Sequence, residues 1–130
     1  MERKKPTKKQ IEALAKEIRQ YLLDNNLWID CTIYFNGKAF ATDDRHGNYY
    51  YNDPVHLVVL EDQDPHRVCE YVGDILTMTF EGPLYSCLNL YGEYNWSFES
   101  RIYEEFPKIF EKYGVYFELG NEWNLTAYPL

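Results

Sequence analysis

The hydrophobic positions near the start of the chain recur at helical spacing. Apolar residues from Ile11 to Leu22 fall on one side, and charged residues fall on the other. Thr7 and Gln10 have the spacing of a capping box, in which two side chains satisfy free N–H groups of the first turn. The pattern predicts an amphipathic helix from about Lys8 to Asp24.

Between residues 28 and 42 the apolar period changes to two. The dipeptide Asn36-Gly37 suits a type I′ turn, because both central residues of that turn need a positive φ. We therefore predict a hairpin in which Phe35 pairs with Lys38 and one face is apolar. That face comprises Ile29, Cys31, Ile33, Phe35 and Phe40.

The rest of the chain alternates short strand and helix patterns. We predict a strand at Val55 to Leu60, a two-turn helix from Asp64-Pro65 to Gly73, a strand at Ile75 to Glu81, a short helix from Pro83 to about Tyr91, a helix capped by Ser97 that kinks or breaks at Pro107, and a terminal hairpin around Gly120-Asn121. This order favours an α+β fold, a single-domain two-layer sandwich. Its sheet is mostly antiparallel, and the N-terminal amphipathic helix and the further helices pack on one face. We assign residues 8–130 to this domain and residues 1–7 to a basic N-terminal tail.

Composition places the chain among ordinary globular proteins. It has 130 residues, 45% of them hydrophobic and 26% charged, which excludes the disordered and collagenous classes. No apolar run approaches the ~20 residues that span a bilayer, so no membrane association is expected. The three cysteines form no Cys-x-x-Cys pair, and no apolar secretion signal is visible, which predicts a cytoplasmic protein.

The charge is distributed unevenly. The chain carries −8 in total, yet residues 1–16 hold six basic and two acidic side chains. The remaining residues hold seven basic and 19 acidic side chains. Binding of nucleic acid is therefore disfavoured, except through the basic N-terminal tail.

The three histidines form the best candidate metal site. His46, His56 and His66 lie near several carboxylates in the sequence, and such side chains bind zinc, iron or manganese. Their ten-residue spacing matches no metal motif, so we expect no metal and no other cofactor. A metal-assisted hydrolase that uses these histidines is the first alternative function.

The aromatic content is the unusual feature. Aromatic residues make up 18% of the chain, including 13 tyrosines, and nine acids between Asp43 and Glu81 meet only two arginines. Tyrosine and tryptophan supply large contact area at low entropic cost, and carboxylates steer a basic partner. We therefore expect a small accessory or regulatory protein, a binder rather than an enzyme, that uses an acidic, tyrosine-rich face to bind a protein partner with a basic surface. The candidate residues are Asp43, Asp44, Tyr49, Tyr50, Tyr51, Asp62, Asp64, Tyr94 and Trp96. The second alternative is an aromatic-lined domain that binds a small molecule.

Overall fold

A computed structural model describes residues 5–70 and 72–130 of the chain. The first helix, α1 (Lys8–Asp24), has the predicted bounds. Its capping box is complete, because the Thr7 hydroxyl accepts from the N–H of Gln10 while the Gln10 side chain accepts from the N–H of Thr7. Local sequence alone therefore predicted where this helix begins and ends.

A six-stranded antiparallel sheet forms the second layer. Its strands are β1 (Cys31–Phe35), β2 (Lys38–Ala41), β3 (Val58–Leu60), β4 (Thr77–Phe80), β5 (Val115–Asn121) and β6 (Asn124–Pro129). Their order across the sheet is β3-β2-β1-β4-β6-β5. The β1–β2 hairpin has the predicted register and a turn at Asn36-Gly37, whose φ values of 49° and 76° are both positive.

Two further helices complete the fold, α2 (Pro83–Asn89) and α3 (Trp96–Glu111). All three helices pack on one face of the sheet. That face carries Ile33, which is paired to both Phe40 and Met78, and these residues belong to one hydrophobic core with helix residues such as Leu14 and Phe106. The single-domain α+β fold predicted from the sequence is therefore confirmed.

The opposite face of the sheet is polar and partly covered. Thr32, Tyr34 and Thr77 lie on it and are at least nine-tenths buried. Cys69, also buried, lies in the segment that connects β3 to β4. Buried hydroxyls on a sheet face need hydrogen-bond partners. The hydroxyls of Thr77 and Thr126 form a hydrogen bond with each other, with 3.1 Å between their oxygen atoms.

Several local predictions differ from the structure. The expected helix after Asp64 is a single 3-10 turn, Pro65–Arg67, although Asp64 caps it as predicted. The predicted strand at 55–60 is limited to β3. Helix α3 is capped by Asn95 rather than Ser97 and continues through Pro107 without a break. The turn of the terminal hairpin lies between β5 and β6, two residues later than predicted.

The predicted basic tail is only partly within the described chain, because residues 1–4 lie outside it. Lys5 forms an ion pair with Asp74, and Thr7 caps α1, so both residues contact the domain. In residues 5–70 and 72–130, no helix combines the length and apolar character needed to cross a membrane.

Candidate functional site

One end of the sheet gathers residues that are far apart in the sequence. In an antiparallel sheet, β1 and β6 begin where β2, β4 and β5 finish. Because Cys31 pairs with Phe80, Asp30 just before β1 lies opposite Glu81 just after β4. The N–H of Glu81 donates to the carbonyl oxygen of Asp30 at 3.0 Å. The backbones of two exposed acidic residues are thus joined at this end of the sheet.

The connection after β2 adds aromatic rings to the same end. Asp43 and Tyr49 form an isolated antiparallel bridge, and the rings of Tyr49 and Tyr51 are 5.5 Å apart. The Tyr51 hydroxyl donates to the carboxylate of Asp30, and this hydrogen bond raises the pKa of Tyr51 to about 12. The tyrosines are 62% and 41% exposed, so both rings remain accessible.

The turn between β5 and β6 contributes Glu122 and Trp123. The Tyr85 hydroxyl donates to Glu122 at 2.5 Å, which raises the pKa of the phenol, and the ring of Tyr85 lies 5.5 Å from that of Tyr91. The side chain of Asn89 donates to the carbonyl oxygen of Glu122 at 2.8 Å. Helix α2 therefore fixes this turn beside the other loops.

Together these loops form one surface, which we call the acidic end. It consists of the carboxylates of Asp30, Asp43, Asp44, Glu81 and Glu122 and the rings of Tyr49, Tyr51, Tyr85, Tyr91 and Trp123. Exposed rings supply contact area, and carboxylates beside them attract positive charge.

A cavity of about 410 Å³ opens within the acidic end. Its floor includes the buried polar residues Thr32, Tyr34 and Thr42. Arg45, whose own backbone is left-handed with φ 65°, lies on one wall. Its guanidinium pairs with Asp43 and donates to the hydroxyl of Thr32 at 3.0 Å.

A buried carboxylate supports the neighbouring loop that connects α2 to α3. Glu99 is fully buried and accepts hydrogen bonds from the Ser86 hydroxyl at 2.7 Å and from the N–H of Tyr94 at 2.9 Å. The N–H groups of Gly92 and Asn95 also donate to it. Burial opposes ionisation, but the hydrogen bonds outweigh it and hold the pKa of Glu99 below its ordinary value.

This loop presents the other aromatic candidates. Tyr94 and Trp96 are 60% and 59% exposed, and Tyr91, at the start of the same loop, belongs to the acidic end. Within residues 5–70 and 72–130, however, no hydrogen bond, ion pair or ring contact links Tyr94 or Trp96 directly to Asp43 or Asp44. They lie on a loop that adjoins the acidic end.

The remaining candidate residues are divided between two places. Tyr50 is half-buried and stacks on His56, with ring centroids 4.9 Å apart. Asp62 and Asp64 lie at the opposite end of the sheet, where the N–H of Gln63 donates to the carbonyl oxygen of Gly37 in the β1–β2 turn. A second cavity, of about 660 Å³, lies at that opposite end and is lined in part by Asp64.

The three histidines have separate surroundings. The ring of His56 contacts Asp53 at 2.6 Å, and the ring of His66 contacts Asp64 at 2.8 Å. The N–H of His46 donates to Asp44. In the described part of the chain, no three histidine, cysteine or acidic side chains come close enough together to hold a metal ion.

Sequence reasoning did not identify several residues of the acidic end as binding residues. Asp30 and Glu81 flank β1 and β4, so the pairing of those two strands would have indicated their proximity. Glu122 and Trp123 were not identified as turn residues, because the sequence pattern predicts the turn of the terminal hairpin two residues too early. Comparisons with protein-family models, with curated proteins and with solved structures found no match to this chain.

Proposed function

We propose that this protein is a small accessory or regulatory protein that binds the basic surface of another protein through the acidic end. The observation that supports this proposal most directly is the gathering of five carboxylates and five aromatic rings at one end of the sheet. These side chains come from four separate segments of the chain, at residue 30 and within 43–51, 81–91 and 122–123, so only the fold brings them together.

The carboxylates and the aromatic rings of the acidic end should affect different steps of binding. Carboxylates steer a positively charged partner and increase the association rate, whereas desolvated rings limit dissociation. Tyr49 and Tyr51 are already in contact with each other, so little side-chain entropy is lost when a partner covers them. We expect the affinity to fall as salt is added, since exposed charges are screened.

A cytoplasmic location is part of the proposal. All three cysteines are free and buried, and free thiols are typical of proteins from reducing compartments.

The proposal is tested by quantitative affinity capture followed by calorimetry on the purified partner. Glu122→Lys and Tyr49→Ala change exposed side chains of the acidic end. Glu104→Lys and Tyr103→Ala are the matched controls, because both residues are exposed on α3 and neither belongs to the acidic end. We expect the first two variants to lose a basic partner that the two controls retain.

The direct measurement is the dissociation constant of that partner at low and high salt. We expect a loss of about tenfold in affinity for each variant of the acidic end, as is typical of a contact near the centre of an interface. A bound set that is the same for all four variants would refute the proposal.

A further inference from the structure

We infer that the cavity of the acidic end receives an arginine side chain of the protein partner. This inference rests on the proposed function and names the group that the partner inserts. The cavity has a volume of about 410 Å³, within the usual range of ligand pockets. Beyond its acidic rim it has a polar floor, so acidic residues are not its only feature.

The floor consists of hydroxyl-bearing side chains that face a cavity although they are nearly buried. Thr32 is 5% exposed, Thr42 is 2% exposed and Tyr34 is 6% exposed. The Thr42 hydroxyl accepts from the N–H of Cys31 at 3.2 Å and donates to the carbonyl oxygen of Cys31 at 3.3 Å, and the Thr32 hydroxyl accepts from Arg45 at 3.0 Å, so each keeps one of its two acceptor lone pairs. A guanidinium has five N–H donors and no acceptor, so it matches such a floor.

The chain's own Arg45 demonstrates this recognition on one wall. Its guanidinium is held by the Asp43 carboxylate and donates to the Thr32 hydroxyl at 3.0 Å. A carboxylate and a floor hydroxyl therefore already bind one guanidinium in this cavity. The other walls offer the same two kinds of group, namely Asp30 and Glu81 with the hydroxyl of Thr79.

The charge of the cavity is not balanced. Three carboxylates line it, and Arg45 is the cation among the lining residues. Within residues 5–70 and 72–130, neither Asp30 nor Glu81 forms an ion pair with a basic side chain. A second cation bound between them would reduce the repulsion that these carboxylates exert on each other.

The spacing of the carboxylates favours an organic cation over a metal ion. In the described residues, no three acidic, histidine or cysteine side chains are close enough together to coordinate a metal. A planar guanidinium can contact groups that are farther apart, because its donors project in several directions. Trp123 lines the same cavity, and an indole ring attracts a guanidinium more strongly than the other aromatic rings do.

The experiment titrates the intact protein, labelled with 15N, with three peptides and follows its NMR spectrum. The peptides are acetyl-Gly-Arg-Gly-amide, the same peptide with lysine, and the same peptide with citrulline, a neutral analogue of arginine. We expect saturable shifts of the Trp123 indole and of the Thr32 and Thr79 amides with arginine at millimolar concentration. We expect weaker binding with lysine and no saturable shift with citrulline.

Two variants test which carboxylates bind the peptide. Glu81→Gln removes one charge from an exposed side chain, and Asp30→Asn does the same at a left-handed position, φ 52°, that asparagine tolerates. Each variant should bind the arginine peptide with about tenfold lower affinity, as expected for the loss of a charge-assisted hydrogen bond. Glu104→Gln on α3 is the matched control and should leave the affinity unchanged. The unchanged pattern of the other amide signals verifies that each variant is folded.

The outcomes separate this inference from the proposed function. The inference is wrong if citrulline binds as well as arginine, if no saturable shift occurs with the arginine peptide, or if Glu81→Gln and Asp30→Asn bind like the parent protein. If a basic partner is nevertheless lost from Glu122→Lys and Tyr49→Ala, the proposed function stands without this cavity. If the partner is also unaffected by those two variants, both proposals fail.

Discussion

Replacement of the buried carboxylate Glu99 by Gln should destabilise the protein substantially. Each of its oxygens accepts two hydrogen bonds, and two of the donors are the backbone N–H groups of Tyr94 and Asn95 on the same oxygen. The amide of Gln has only one acceptor oxygen, so its NH2 group would face donors. Two hydrogen bonds to a charged group are then lost, each worth about 1.5 kcal/mol.

The expected loss is about 3 kcal/mol of the free energy of unfolding. For a chain of this size it corresponds to a decrease of about 10 °C in Tm. Urea denaturation followed by circular dichroism measures the first quantity, and calorimetry measures the second. Glu104→Gln, an exposed change on the same helix, should stay within about 0.5 kcal/mol of the parent protein.

The stabilisation that ionised Glu99 provides should decrease in acid. The pKa of Glu99 in the folded protein is lower than in the unfolded chain, so its stabilisation is present above the unfolded pKa of about 4.3. It is lost as the pH falls through that value toward the folded pKa. The difference in stability between the parent protein and Glu99→Gln should therefore shrink in acid.

A local measurement shows whether the loop itself is affected. Hydrogen exchange at the amides of Gly92, Tyr94 and Asn95 should accelerate in Glu99→Gln, because these N–H groups donate to the carboxylate. A loss of stability below about 1 kcal/mol, or a loss that does not change with pH, would refute the assignment of Glu99 as an ionised support.

Three further predictions concern the acidic end and the core. In Asp30→Asn, the pKa of Tyr51 should fall from about 12 toward the ordinary value of about 10, because the hydrogen bond to the carboxylate is its largest cause; NMR of labelled tyrosine measures it, and an unchanged pKa would contradict the contact. Gly82→Ala should cost about 2 kcal/mol or more in urea denaturation, since its new Cβ would lie 2.3 Å from the carbonyl oxygen of Ile29; a neutral effect would show that this approach relaxes freely. Ellman's reagent should react slowly at neutral pH with the native thiols and rapidly after unfolding, because burial raises the pKa of each; fast reaction of the native protein would be inconsistent with the burial of Cys31, Cys69 and Cys87.

Local signals in the sequence predicted the elements that depend on local interactions. The capping box predicted the start of α1, and Asn36-Gly37 predicted the register of the first hairpin. In both cases neighbouring residues satisfy the backbone, so no distant contact is needed.

The wrong predictions occur where tertiary contacts compete with local preference. Gly120-Asn121 is a plausible turn, but both residues extend β5, and the side chain of Asn124 accepts from the N–H of Asn121 at 2.9 Å. Pro107 is accommodated within α3, although proline normally interrupts a helix. Packing of the apolar face of α3 against the core is a sufficient physical reason for the helix to continue.

The sequence predicted the chemical character of the acidic end but not the residues that form it. An acidic, aromatic surface was expected from the charge distribution and the tyrosine content. Its members could not be identified, because strand order determines which loops meet. Asp62 and Asp64 lie close to Asp43 in sequence, yet they are at the other end of the sheet.

The positions of the described chain ends have a practical consequence. Lys5 contacts Asp74 just before β4, and the N–H of Leu130 donates to the carbonyl oxygen of Gly114 just before β5. Both contacts lie at the pole of the sheet that is remote from Asp30 and Glu81. A fluorophore, an affinity handle or a sensor chip attached at Lys5 or Leu130 would therefore lie at that pole and leave the carboxylates and rings of the acidic end uncovered.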